Sequence, residues 1–419
     1  MHSDVVSAPM TYRCGEDAVS ALLQFSQSKG YDRFMLVCDQ NTYRVLGEAV
    51  EVALHAQGWQ VIAVVLEGEE VIANEEALIQ VLMRYDAQPR LFVAVGAGTI
   101  TDITRFCSHR TGNPFVSLPT APSVDGFASS IAPVVIRGFK DTAYCMPPLA
   151  VFADLDTLCH APKAMIAAGF GDMLGKYTAL ADWRLAHLLW DEPYRAEIAA
   201  RMEQALSLCV ENVAAIAQAT PQGITRLMDG LVESGICMIL NGNSRPASGA
   251  EHHLSHYWEM KLLRQGRRAI LHGAKVGIGT VLIARQYEQV RQLAQVDVDR
   301  LLAAASWVNP DVERQTIRAV YGPIAPQVEH EQRRFLSMSP DDFAQLKQSI
   351  SRHWSDILQI AATVPPPSQI TAWLEQVSAP SRVEQVGLDA DDEAQALQYA
   401  HYLRSQFTVT KLGRVLGLC

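Results

Sequence analysis

The chain has 419 residues, 49% of them hydrophobic and 19% charged, a globular balance in a chain long enough for two cores. With 35 Lys and Arg against 45 Asp and Glu, the formal net charge is −10, which argues against a nucleic-acid backbone as partner. No run reaches the ~20 uninterrupted apolar residues of a membrane helix. The N-terminal stretch lacks a basic region followed by an apolar one, and the eight cysteines are spaced singly, so a reduced, cytoplasmic, membrane-free enzyme is expected.

In chain order, short apolar runs alternate with helix-length amphipathic segments over the first ~160 residues, the pattern of βαβ units. Strands are expected at Arg33–Cys38, Gln60–Leu66, Leu91–Val95, Phe115–Leu118 and Ala150–Ala153, with helices over 16–29, 43–57, 73–85 and 100–109 between them. Pro133 to Cys145 reads as a β-hairpin. From about Ala161 the strand-like runs give way to Ala-, Leu-, Glu- and Gln-rich helical stretches punctuated by prolines. The sequence therefore predicts a parallel α/β domain over 1–160 and an all-helical domain over 161–419, with a cleft between them as the place for a ligand.

The first domain carries three signals of nucleotide binding. Leu91–Val95 runs into Gly96-Ala97-Gly98-Thr99-Ile100-Thr101-Asp102, where backbone N–H groups at a helix start can meet a phosphate. The full G-x-G-x-x-G spacing is absent because Thr101 takes the third position, so a tight structural turn is an equal reading. Asp39, at the end of a strand, can accept ribose hydroxyls, or it can cap the helix that follows. The small-residue loop Ser117 to Ser130 (SLPTAPSVDGFASS) follows another strand and carries Asp125; Thr120 and Ser123 there can donate to a cofactor, and Ser129 can cap the next segment.

The second domain carries the metal signal. His252, His253, His256 and His272 fall in one short stretch, and His252 and His256 share a helix face while His253 points elsewhere. The segment lacks the glutamate of H-E-x-x-H, so a metal there needs a carboxylate from another element. Asp172, in GFGDMLGKY, is the candidate, placed by Gly169 and Gly171 at a helix start, where a simple capping role competes with metal binding. Arg245 beside the histidines is a nominee for a phosphate contact, with a surface ion pair as the alternative.

VGAGTITD, LPTAPSVDGFASS, GFGDMLGKYTALADW, SRPASGAEHHLSH and ILHGAKVGIGT, in that order, resemble the sn-glycerol-1-phosphate dehydrogenase family, within the superfamily of iron-type alcohol dehydrogenase, glycerol dehydrogenase and dehydroquinate synthase. The resemblance covers residues ~35 to 280 and implies a Rossmann-like dinucleotide-binding domain followed by a helical metal-binding domain. It implies that Asp172, His252 and His272 hold one divalent ion (Zn, Ni or Fe) and that His256, Asp125 and Asp172 contact substrate. It implies that Asp39, Gly98, Thr99, Ile100, Thr101, Asp102, Thr120, Ala121, Pro122, Ser123 and Ser129 bind NAD or NADP. Ala97 departs from the family's usual G-G-G loop. The implied reaction is reduction of dihydroxyacetone phosphate, a small phosphorylated substrate of phospholipid metabolism, with the ion polarising the carbonyl. Rival readings are another polyol such as glycerol, a dehydroquinate-synthase-like cyclase that recycles its NAD, and a non-catalytic nucleotide sensor. A homo-oligomer is compatible with the helical half.

Overall fold

The computed structural model describes residues 10–68, 70–136, 139–306 and 309–418. A six-stranded sheet runs in the order β1-β8-β5-β4-β2-β3, formed by β1 (Thr11–Gly15), β2 (Arg33–Asp39), β3 (Gln60–Leu66), β4 (Leu91–Val95), β5 (Phe115–Leu118) and β8 (Ala150–Asp154). Every pairing in it is parallel. Parallel sheets are covered on both faces, which is why their strands are continuous apolar runs; all five residues of β4 are buried.

Side chains alternate across such a sheet. Phe34, Leu36 and Cys38 with Leu91, Val93 and Val95 fill one face, beneath Ala18 and Leu22 of the Ala18–Lys29 helix and Val50 and Leu54 of the Glu48–Ala56 helix. Met35, Val37, Phe92 and Ala94 fill the other, beneath Leu78 and Val81 of the Glu75–Arg84 helix and Ile100 and Ile103 of the Gly98–Arg110 helix. The antiparallel hairpin β6 (Ile131–Ile136) and β7 (Phe139–Tyr144) forms a separate two-stranded sheet, and Val134 of β6 packs into this second core.

The expected strands and hairpin are present to within two residues at either end; β1 was not among them. By contacts the chain divides into two compact units. The first comprises Met1–Met173, Gln204–Asn243 and Gln376–Ser378, so the Pro221–Asn241 helix belongs with the sheet. The second comprises Leu174–Glu203, Ser244–Glu375 and Ala379–Cys419, and its described secondary structure is helical. Among the described residues no helix is long and apolar enough to cross a membrane. Cys14, Cys38, Cys107, Cys145, Cys159, Cys209 and Cys237 are free thiols.

Candidate metal and nucleotide centre

The glycine loop does open a helix. Ala97 is extended, and the helix runs from Gly98 to Arg110, so the N–H groups of its first turn have no carbonyl partner within the helix. A Cβ on Gly98 would meet Val124 Cγ2 at 3.0 Å, and one on Gly96 would meet Ile100 at 2.6 Å. The two glycines thus permit close packing here, and Ala97 occupies the position that tolerates a methyl. Thr101 is buried with its hydroxyl 3.3 Å from that of Ser117. Asp102 pairs with Arg105 Nη1 at 2.9 Å.

Arg105, unremarked in the sequence, is wholly buried and holds the next loop. Its guanidinium donates to the carbonyls of Ile131 (2.7 Å), Gly126 (2.5 Å) and Phe127 (3.1 Å). That loop contains Thr120, Ala121, Pro122 and Ser123, all four of them buried. Ser129 closes it as expected, its hydroxyl donating to the carbonyls of Gly126 and Ile131 at 3.2 Å. Asp39 does cap a helix: Oδ1 accepts from the N–H groups of Asn41 and Thr42, both at 2.8 Å. Both bonds fall on one oxygen, so capping does not consume Oδ2.

Asp172 lies near the end of the Lys163–Leu174 helix, not at a helix start, which corrects the capping alternative. Gly169 and Gly171 are helical residues, not breakers. Gly169 is required because a Cβ there would overlap the carbonyl oxygen of Pro122. Three residues on, Asp172 shares that face. It is fully buried, and its Oδ2 accepts from the Asp125 backbone N–H at 3.0 Å. Asp125 opens a short 3-10 turn (Asp125–Ala128), and its own Oδ2 accepts from Ser234 Oγ at 2.7 Å. The next residue, Gly235, lets the helix come close: a Cβ would fall 2.7 Å from Ala128 Cβ and 3.0 Å from Asp125 O. Sequence reasoning missed Ser234; nothing in its local pattern marks a contact 109 residues away.

The histidines lie on two helices, Ala250–Arg264 and His272–Arg291. These cross closely at Gly279, whose missing Cβ would fall 2.7 Å from Glu251 O. The rings of His252, His256 and His272 form a triangle with centroid separations of 6.3, 5.3 and 5.8 Å. Asp172, His252 and His272 each offer one ligand atom, and these atoms lie within 4.8 Å of one another. One carboxylate and two imidazoles at that spacing fit a divalent first-row ion with coordination positions left for a substrate. His256 Nδ1 is 3.4 Å from Glu259 Oε2, and Glu259 Oε1 is 3.5 Å from the Nζ of buried Lys275.

Behind His252 stand two buried acids that the sequence did not reveal. Glu251 accepts from His252 Nδ1, the Gly249 N–H and Thr178 Oγ1, each at 2.7 Å. Burial alone would raise its pKa, but these donors outweigh burial and hold it below the usual carboxylate range. Asp182 accepts from Tyr287 Oη (2.7 Å) and from the N–H groups of Ala250 and Val409 (2.8 Å each), so it caps two helix starts. Burial, then the Glu251 charge, push its pKa up to about 7. His253 points away from the cluster as expected: it is buried, and burial followed by the charges of Lys411, Arg404 and Arg245 drives its pKa well below the ordinary value. Arg245 is engaged by Glu192, at 2.6 and 3.4 Å, which favours the ion-pair reading over a phosphate contact.

Residues 13–162 match the profile of the family described as iron-containing alcohol dehydrogenase. The fold is similar to that of maleylacetate reductase from Agrobacterium tumefaciens, with a TM-score of 0.58 at 15% identity over 96% of this chain and 92% of the other. A glycerol-1-phosphate dehydrogenase (NAD(P)+) of Geobacillus thermodenitrificans is 40% identical over 94% of this chain and 89% of its own. That of Geobacillus stearothermophilus is 39% identical over 94% and 90%. The chain belongs to the glycerol-1-phosphate dehydrogenase family.

Proposed function

We infer that the protein is a metal-dependent, NAD(P)-linked oxidoreductase that reversibly reduces dihydroxyacetone phosphate to sn-glycerol 1-phosphate. The observation that carries this reading is the convergence of Asp172, His252 and His272 on one point, in a chain whose relatives are named for that activity. Asp172, His252 and His272 would hold the divalent ion, which supplies a Lewis acid for the carbonyl oxygen, as the nicotinamide supplies hydride. The rest is the work of this chain's residues. The Gly98 helix start presents N–H groups to the dinucleotide phosphates. Asp39 accepts the ribose hydroxyls with the oxygen its cap leaves over, which favours NAD over NADP because a carboxylate repels a 2′-phosphate. Asp125, oriented by Ser234, accepts from a substrate hydroxyl. His256, backed by Glu259, contacts the substrate and relays a proton from solvent to its C2 oxygen in reduction, and back to solvent in the reverse reaction.

Chelator-treated protein is assayed for NADH oxidation with dihydroxyacetone phosphate, before and after restoring Zn²⁺, Ni²⁺ or Fe²⁺. Activity should vanish and return. Full activity without metal refutes the mechanism. Turnover of glycerol in preference to glycerol 1-phosphate points to a polyol dehydrogenase instead, and product formation without net NADH change to a cyclase. Asp172→Ala should lower activity by about 10³-fold, corresponding to ~4 kcal/mol of lost charge stabilisation.

A further inference from the structure

The glutamate behind His252 has no part in the reading above, yet its geometry is more tightly fixed than that of a capping residue. A carboxylate only accepts hydrogen bonds, so the 2.7 Å contact with His252 places a proton on Nδ1, and in the neutral ring the lone pair is then on Nε2. Glu251 cannot turn away. Oε1 is shared between His252 Nδ1 and the Gly249 N–H, and Oε2 is held by Thr178 Oγ1 from the Lys176–Trp190 helix. The space beside Gly249 is filled too: a Cβ there would lie 2.9 Å from Glu251 Oε2 and 2.7 Å from Asp182 Oδ2. Glu251 itself is fully buried, so its charge acts on the imidazole without a screening water layer.

We propose that Glu251 is the positioning residue of the metal centre, fixing the tautomer and orientation of His252 and setting, through its charge, the affinity for the divalent ion. This rests on the reading of Asp172, His252 and His272 as ligands. A carboxylate that accepts from a ligand imidazole raises the basicity of the opposite nitrogen, and its loss costs about 10–100-fold in metal affinity. Asp182 provides the contrast. It is buried in the same region and caps the same helix through Ala250, but its hydrogen bonds go to Tyr287, Ala250 and Val409 and not to a histidine.

The test titrates Zn²⁺ into metal-free full-length protein against a competing chromophoric chelator, with circular dichroism and thermal melting of the metal-free form alongside. Glu251→Gln keeps the shape and removes the charge; it should bind Zn²⁺ about 10–100-fold more weakly while retaining the wild-type spectrum. Asp182→Asn should lower the melting temperature and leave the affinity unchanged. Wild-type affinity in Glu251→Gln overturns the proposal, as does equal weakening in Asp182→Asn, which would assign the effect to the helix start. If Glu251→Gln does not fold, Thr178→Val serves, since it keeps the charge but frees Oε2. It should weaken binding several-fold, and unchanged affinity in that variant also overturns the proposal. A wild-type protein that binds no Zn²⁺, or whose site survives Asp172→Asn, fails the ligand reading itself and the proposal with it.

Discussion

The backbone N–H of Asp125 donates to Oδ2 of Asp172 at 3.0 Å. The turn that carries the candidate substrate acid is therefore tied to the helix that carries the candidate metal acid, and Ser234 fixes the other end of Asp125 at 2.7 Å. The candidate metal carboxylate and the candidate substrate carboxylate thus share one hydrogen-bonded unit.

Ser234 tests that unit. Ser234→Ala removes a donor to a buried carboxylate, an interaction worth about 1.5–3 kcal/mol. If Asp125 must keep one orientation to meet substrate, kcat/KM for dihydroxyacetone phosphate should fall by about 10-fold or more with metal content unchanged. Steady-state kinetics with parallel metal analysis check this; unchanged kinetics would remove Asp125 orientation from the mechanism.

Arg105 is predicted to govern stability. Its guanidinium is buried among three carbonyls and Asp102. Arg105→Met leaves these acceptors without their donor, and breaking such a buried set typically costs about 3–5 kcal/mol. Denaturant unfolding should show that loss, and cofactor affinity should fall in step because the same loop borders the Gly98 helix through Val124.

Asp39→Asn separates two roles of one side chain. Asparagine caps a helix nearly as well as aspartate, so stability should hold. The ribose hydroxyls lose a charged acceptor, worth about 1.5–3 kcal/mol, and the 2′-phosphate loses a repulsion. The ratio of kcat/KM for NADPH to that for NADH should rise by about 10-fold or more; a constant ratio would leave Asp39 as a cap only.

Stability of the metal-free protein should depend on pH through Asp182. Its pKa is raised from 3.8 to about 7, by burial first and by Glu251 next, so the folded state binds this proton more tightly than the unfolded state. The stabilisation is complete below pH ~4 and is lost as pH rises towards ~7, at on the order of 1 kcal/mol per pH unit. The stability advantage of wild type over Asp182→Asn should therefore narrow from pH 4 to 7. A constant difference in urea midpoints would show that Asp182 is charged throughout.

Much of the sheet was legible because each buried parallel strand is an apolar run bounded by turn residues. β1 escaped because Thr11–Gly15 is a half-exposed edge strand with no such run. The Asp172–His252–His272 grouping followed the motifs that carry the family resemblance, whereas Asp172 was expected at a helix start because Gly171 and then Gly169 precede it. Only the Pro122 carbonyl pressed against Gly169 explains that glycine. Arg105, Ser234 and Glu251 were illegible for a common reason. Arg105 reaches carbonyls 21 to 26 residues away, Ser234 an acid 109 residues away, and Glu251, although next to His252, is locked by Thr178 73 residues away; no local periodicity records such contacts.

Asp182 also joins distant parts of the chain. By accepting from both Ala250 and Val409 it seals the first turns of the Ala250–Arg264 and Val409–Leu416 helices with one side chain. Ala250 is held by Oδ2 and Val409 by Oδ1, so a movement of Asp182 itself would release both amides, and in Asp182→Ala both should exchange faster with deuterium. Loss of the Val409–Leu416 helix would then cost stability at the start of the Ala250–Arg264 helix, so two segments about 160 residues apart in sequence share one anchoring carboxylate.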